Sequence, residues 1–176
     1  MRMIGKRSLS SMLAMGLHVI RLILWLILGG VFIALLVIPL LPLLLEFVAG
    51  FEGTPSTVEA DIEADVEAGD YFKLIYIFLT SGIVLYVVNR LLEVLKTLRF
   101  GSPFVMENAD RFREVGYALL LGEGLKIIFA IWSFIIGVEA DIEISLMGWV
   151  AVIVVFVLSE VFREGARMKE EQDLTV

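Results

Sequence analysis

The chain has 176 residues, of which 59% are hydrophobic, and its mean hydropathy of +0.92 exceeds what a soluble domain of this size could bury. It contains no cysteine, which excludes disulfides, thiolate catalysis and cysteine-ligated metals. The net charge is -7, but acidic and basic residues occupy separate segments, so direct nucleic-acid binding is not expected. The composition predicts an integral membrane protein whose main partner is the lipid bilayer.

Four apolar segments are close to or above the roughly 20 residues that a helix needs to cross a bilayer. They predict an all-α integral membrane protein with four transmembrane helices, arranged as two helical hairpins in one domain, residues 1–176. The first apolar run is too long for a signal peptide, so it should be retained as a helix. Pro39 and Pro42 should kink or end that helix. The predicted spans are residues 17–45, 72–98, 112–138 and 144–162.

The distribution of charge predicts the topology. Ten of the fourteen basic residues fall in three segments, which are the N-terminus, the loop 99–111 with its borders, and the tail 163–176. Segments rich in Lys and Arg are usually cytoplasmic. By contrast, eight acidic residues and no basic one lie from Glu46 to Asp70, so residues 49–70 are predicted to form an acidic extracytoplasmic loop. Both termini are therefore expected in the cytoplasm, with the protein in the cell (cytoplasmic) membrane.

The acidic segments contain a short repeat. Residues 58–69 read VEADIEADVEAG, and VEADIE returns at residues 138–143. Apolar and acidic residues alternate strictly, which favours a strand, and two such strands could pair as a small extracytoplasmic β-sheet. A helix is the alternative, because Val58, Ile62 and Val66 also recur every fourth residue. A solvated acidic surface is favoured over a cation site, which would need converging ligands.

Four charged residues stand out inside the predicted second and third spans, where an ionisable group is costly and tends to face a partner. Counted inward from the basic borders of their helices, Arg90 and Glu123 each lie about 14 Å deep, so an ion pair between them is geometrically possible. Glu93 and Lys126 lie three residues away on the same two helices. The favoured interpretation is a structural clamp, and the alternative is an ion or proton path or a breakable switch. The predicted intramembrane polar cluster comprises Arg90, Glu93, Glu123 and Lys126.

The predicted cytoplasmic loop has helix-start signals. Ser102 and Pro103 suit an N-cap and a first helical position, and Asn108 offers a second cap. A short amphipathic helix on the membrane surface would place Phe104 and Phe112 at the interface, with basic side chains on lipid headgroups. Docking of a cytoplasmic protein is the alternative. The candidate interaction residues are Pro103, Phe104, Asn108, Arg111 and Arg113.

Two cytoplasmic stretches carry a recognisable pattern. One reads LRFGSPFVMENADRFREVGYALL and the other LSEVFREGARMKEEQDLTV. Together they resemble the bacterial "domain of unknown function 2975" family of small four-helix membrane proteins without assigned activity. The resemblance implies a cytoplasmic helix-turn-helix regulator as a partner, because family genes often stand beside such a gene. The pattern rests on Gly101, Pro103, Phe104, Asn108, Arg111 and Gly116.

No nucleophile with a base, histidine cluster or phosphate-binding glycine loop can be named, so neither enzymatic activity nor a cofactor or metal is expected. Two functions remain as hypotheses. In the first, the protein is a regulatory or interaction protein that binds a cytoplasmic partner, such as a transcriptional regulator, through the loop and tail. In the second, it forms a homo-oligomeric channel or transporter for an ion or small solute. The second would use a polar path at Arg90, Glu93, Glu123 and Lys126.

Overall fold

The computed structural model describes residues 9–52, 68–100, 103–138 and 142–174. They form four helices, each long and apolar enough to cross a membrane, as the sequence predicts. No β-strand occurs among these residues, so the predicted small sheet has no support. Most of the first acidic repeat and the middle of the second fall outside the described residues. The helices are α1 (Leu9–Glu52), α2 (Ala68–Phe100), α3 (Met106–Ile136) and α4 (Leu146–Asp173).

The helices are arranged as a row. Within the described residues, α1 packs against α2, α2 against α3 and α3 against α4, and no other pair of helices is in contact. Neighbouring helices are antiparallel: Leu24 of α1 packs with Leu85 and Val88 of α2, while Phe32, further along α1, stacks on Phe78, 6.3 Å between ring centroids. The start of α1, the α2–α3 connection and the end of α4 therefore share one end of the molecule, hereafter the α2–α3 end.

The first helix continues past both prolines to Glu52, so Pro39 and Pro42 do not end it, and that part of the prediction is wrong. A proline removes one helical hydrogen bond. Ending the helix in an apolar environment would instead leave several backbone groups without partners, and these groups cannot find water in lipid. Continuing the helix is therefore the less costly solution.

The loop between α2 and α3 contains no separate surface helix over its described residues. Pro103 lies in a bend rather than in a first helical turn, and α3 begins at Met106 after Val105, whose extended backbone provides the N-cap position. Asn108 lies in the first turn of α3 and therefore does not cap a second helix. Its side chain instead bonds back to the loop: Nδ2 donates to the Pro103 carbonyl at 3.0 Å. The predicted first helical position at Pro103 and the predicted cap at Asn108 are therefore wrong, and the predicted N-cap Ser102 lies outside the described residues.

The two helices of the last hairpin start and end at different levels. Gly148, in the first turn of α4, lies against Glu123 of α3, yet α3 continues for thirteen more residues to Ile136. At 1.5 Å per residue, α3 extends about 20 Å beyond the start of α4. At the α2–α3 end α4 is the helix that extends further. It continues to Asp173, well beyond the predicted limit of its span at residue 162.

Candidate functional site

Two groups of charged side chains stand out, and the first ties α2 to α3 near the α2–α3 end. Arg90 Nη1 lies 2.9 Å from Glu93 Oε2 on its own helix, and Arg90 Nε lies 2.7 Å from Glu114 Oε2 on α3. Arg111 of α3 closes the group, its Nε 3.4 Å from Glu93 Oε2. Two arginines and two glutamates thus balance in charge across the helix contact. We call these four residues, Arg90, Glu93, Arg111 and Glu114, the arginine cluster.

Neutral side chains complete the arginine cluster. The Tyr86 hydroxyl donates to Glu114 Oε2 at 3.1 Å, and Arg111 Nη1 donates to Thr97 Oγ1 at 3.1 Å. The same Nη1 donates to Asn108 Oδ1 at 2.9 Å, and Asn108 is fully buried. Because Asn108 also holds the Pro103 carbonyl, the cluster fixes the position of the α2–α3 loop.

The second group is isolated. Glu123 and Lys126 of α3, which we call the buried pair, are joined by a bond of 2.7 Å between Lys126 Nζ and Glu123 Oε1. Glu123 is only 7% exposed. Glu114, which binds Arg90, is nine residues away on α3, or about 14 Å by helical rise.

The predicted ion pair between Arg90 and Glu123 is therefore wrong. The reason is the register of the helices. The hydrogen bond between Arg111 and Thr97 aligns the start of α3 with a level of α2 that lies inside its predicted span. Equal residue counts inward from the basic residues of α2 and α3 therefore do not correspond to equal depths in the membrane. Arg90 belongs to the α2–α3 end, and Glu123 alone of the two lies deep within the apolar part.

The Glu123 carboxylate faces the first turn of α4. A Cβ added at Gly148 would overlap that carboxylate, so glycine is what lets the two helices approach here. Ser145 caps α4, its Oγ accepting from the Met147 backbone N–H at 3.2 Å. The positive end of the helix dipole favours a carboxylate at this place. Nevertheless Glu123 Oε2 is buried and has no hydrogen-bond partner among the residues that the structure describes.

The end of α4 packs against the α2–α3 loop. The Phe104 and Phe162 rings lie 5.6 Å apart, and Phe104 also contacts Gly165, where a Cβ would lie 2.6 Å from the ring. Phe104 nevertheless remains 42% exposed. Phe112 is buried against Phe162, at 4.9 Å, so its predicted place at the lipid interface is wrong. The buried Ser159 adds a bond from its hydroxyl to the Ala109 carbonyl at 2.8 Å, between α4 and α3.

Other exposed side chains lie on the elements that adjoin Phe104 at the α2–α3 end. Met168 lies one helical turn beyond Gly165 on α4, Met106 begins α3, and both are about half exposed. Arg113 is also exposed and pairs with Asp110 of its own helix, at 3.1 Å. We call Phe104, Met106, Arg113 and Met168 the loop–tail surface. It joins two of the predicted interaction residues to two methionines, whereas Pro103, Asn108 and Arg111 hold the loop from within.

Several participants were not anticipated. Glu114 is a charged residue inside the predicted third span, and that signal could have identified it as the partner of Arg90. Gly148 and Gly165 carry no signal that distinguishes them from glycines without close neighbours, such as Gly124. Within the parts of the chain that the structure describes, no group of three or more His, Asp or Glu side chains converges as a metal site.

Comparison with known proteins gives one match. The family model described as "Protein of unknown function (DUF2975)" matches residues 57–176, which include α2, α3 and α4 but not α1. No curated protein and no solved structure matches the chain.

Proposed function

The chain belongs to the DUF2975 family of proteins of unknown function, and we propose that it is a regulatory membrane protein that binds a cytoplasmic partner at its α2–α3 end. The partner we propose is a helix-turn-helix transcriptional regulator. The exposed Phe104, held between the loop and α4 at the end of the molecule that carries most of the basic residues, is the observation that supports this function best.

The charge distribution supports a cytoplasmic location for this end. Lys96, Arg111, Arg113, Arg163 and Arg167 all lie near it, and the positive-inside rule assigns such an end to the cytoplasm. The start of α1 and the end of α4 are at the same end, so both chain termini would be cytoplasmic in the cell membrane.

The loop–tail surface has properties of a binding site. The arginine cluster and Asn108 hold the loop in place, so little conformational entropy would be lost when a partner binds. An aromatic side chain beside two methionines gives an apolar centre that can adapt to a partner. Arg113 and the charged residues of the tail would form a polar rim around it.

The test is purification of the tagged protein from its own host in mild detergent, with identification of proteins that accompany it in near-equal amounts. We expect a cytoplasmic DNA-binding protein with the wild type, and its loss with Phe104→Ala combined with Arg113→Ala. Phe134→Ala is the matched control, because Phe134 is 89% exposed but lies on α3 near the other end of the molecule. A partner that remains with the double variant would exclude the loop–tail surface.

A homo-oligomeric channel or transporter is the second candidate, and the unpartnered oxygen of Glu123 within the apolar part of α3 is the observation that favours it. A row of four helices encloses no pore, so several copies would be needed. The arginine cluster and the buried pair would be two separate binding sites along the path, about 14 Å apart. Flux in liposomes that changes with Glu123→Gln, while assembly is retained, would support this function. Unchanged flux would count against it.

A further inference from the structure

The Glu123 carboxyl group lies near the middle of the apolar part of α3. In one direction, the arginine cluster begins at Glu114, about 14 Å away by helical rise. In the other direction, Phe129 of α3 is about 9 Å away by helical rise. The Phe129 ring stacks on the Phe72 ring of α2, with 4.9 Å between ring centroids, and the residue after Phe72 is Lys73. Glu123 therefore lies between charged residues that are about 23 Å apart along the helix axis, within the roughly 30 Å thickness of a hydrocarbon core.

Few charged groups face this carboxyl group. On its own helix the neighbour is Lys126. On α2, which packs beside Gly122 through Ile83, no Asp, Glu, Lys, Arg or His occurs between Lys73 and Arg90, and the titratable residues are Tyr76 and Tyr86. The other helix in contact is α4, whose charged residue next after Gly148 is Glu160, about 18 Å along the helix. Glu143 lies before the start of α4, and over the described residues α1 packs only against α2.

The unpartnered oxygen cannot be explained by a bound metal or hydrated cation. The Lys126 ammonium and the positive end of α4 both repel a cation. A Cβ at Gly148 would already overlap the carboxylate, so little space remains beside it. A cation would also need several oxygen ligands, and Glu123 is the acidic residue present at this level of the described helices.

We propose that Glu123 is a proton-binding site within the membrane and that its charge state controls how the first turn of α4 packs on α3. The reaction is the addition of one proton from water to Oε2, which converts the carboxylate to a neutral carboxyl group while Lys126 remains an ammonium. The ionised form attracts Lys126 and the positive end of α4. The neutral form avoids the cost of a buried anion but leaves the Lys126 ammonium without its partner. Protonation therefore weakens the attraction between Glu123 and α4, and the first turn of α4 is loosened.

This inference rests on the buried pair and does not depend on partner binding at the loop–tail surface. If the channel or transporter function is correct, the proton is the species that binds at Glu123. Partner binding at the loop–tail surface is tested by co-purification, whereas proton binding at Glu123 is tested by chemical modification of that residue. Either proposal can therefore fail while the other holds.

The first test is reaction of the purified wild-type protein with dicyclohexylcarbodiimide, an apolar reagent that attacks protonated carboxyl groups. We expect modification of Glu123, mapped by peptide mass spectrometry, to increase as the pH is lowered. Because Lys126 stays an ammonium, it cannot attack the activated carboxyl group, so the reagent should remain attached to Glu123. Glu123→Gln, which has no carboxyl group at this position, is the control and should not be modified there. A Glu123 that stays unmodified from alkaline to acidic pH would overturn the proposal.

The second test measures the coupling to α4. Because the chain has no cysteine, one spin label can be attached at Leu146→Cys, the first residue of α4, whose side chain is exposed. Its mobility should increase as the pH is lowered, and Glu123→Gln should abolish this dependence. Ile128→Cys is the control, because Ile128 is an exposed residue of α3 near the same level and should report no change. A label at position 146 that does not respond to pH would overturn the coupling.

Discussion

The arginine cluster and the buried pair bring opposite charges together in different ways. In the arginine cluster, each arginine binds more than one group, two helices contribute, and the side chains are a quarter to nearly half exposed. In the buried pair, one lysine binds one glutamate on the same helix, and the glutamate side chain is 9% exposed. Redundant partners make each bond of the arginine cluster individually replaceable. In the buried pair, by contrast, loss of either charge leaves the other unpaired in an apolar environment.

Removing one charge of the buried pair should have the largest effect. Lys126→Met leaves the Glu123 carboxylate without its partner, and an uncompensated buried charge costs about 3–5 kcal/mol. We expect a large loss of thermal stability in detergent. Adding Glu123→Gln to Lys126→Met should restore most of it, because no unpaired charge remains. A double variant as unstable as Lys126→Met would show that the lysine acts through packing rather than charge.

The contact of Glu123 with α4 should have an intermediate effect. Gly148→Ala places a methyl group where the carboxylate lies, so the carboxylate must move and its bond to Lys126 must lengthen, at a cost of about 1–3 kcal/mol. Gly124→Ala is the control, because a Cβ there meets nothing within 4 Å. In a Glu123→Ala, Lys126→Ala background, Gly148→Ala should cost little. Equal destabilisation in both backgrounds would mean that the methyl group clashes with something else.

The arginine cluster should be the least sensitive. Glu93→Gln removes the charge from a carboxylate that binds both Arg90 and Arg111, but Arg90 keeps Glu114 and Arg111 keeps Asn108. We expect a loss of at most about 1 kcal/mol, decreasing as salt is added. Unfolding measured at low and high salt checks both expectations. A loss as large as that of Lys126→Met would contradict the comparison between the two groups.

The sequence was sufficient to predict the four helices, since apolar runs of this length have few alternatives. It also identified Arg90, Glu93, Glu123 and Lys126 as the charges that require partners. It could not assign the partners, because these depend on how far α2 extends past the start of α3. The hydrogen bond between Arg111 and Thr97 sets this register, and the sequence does not indicate that these two residues pair.

The contacts of α4 were harder to predict for a different reason. Gly148 and Gly165 matter because of what lies opposite them, namely a carboxylate and an aromatic ring. A glycine carries no side chain whose chemistry could indicate such a neighbour. The end of α1 shows the same limit, because Pro39 and Pro42 suggest interruption on local grounds, while the apolar surroundings favour continuity.

The arrangement of the helices in a row has a consequence for how the protein forms. Each helix contacts only its neighbours in sequence, so the described chain behaves as a one-dimensional array in which stability is a sum of adjacent pairs. Each helix can then pack as soon as the next one is inserted, without waiting for a distant partner. The array can also change length at its ends. The family match covers α2, α3 and α4, and α1 adds one further adjacent pair to that run of helices.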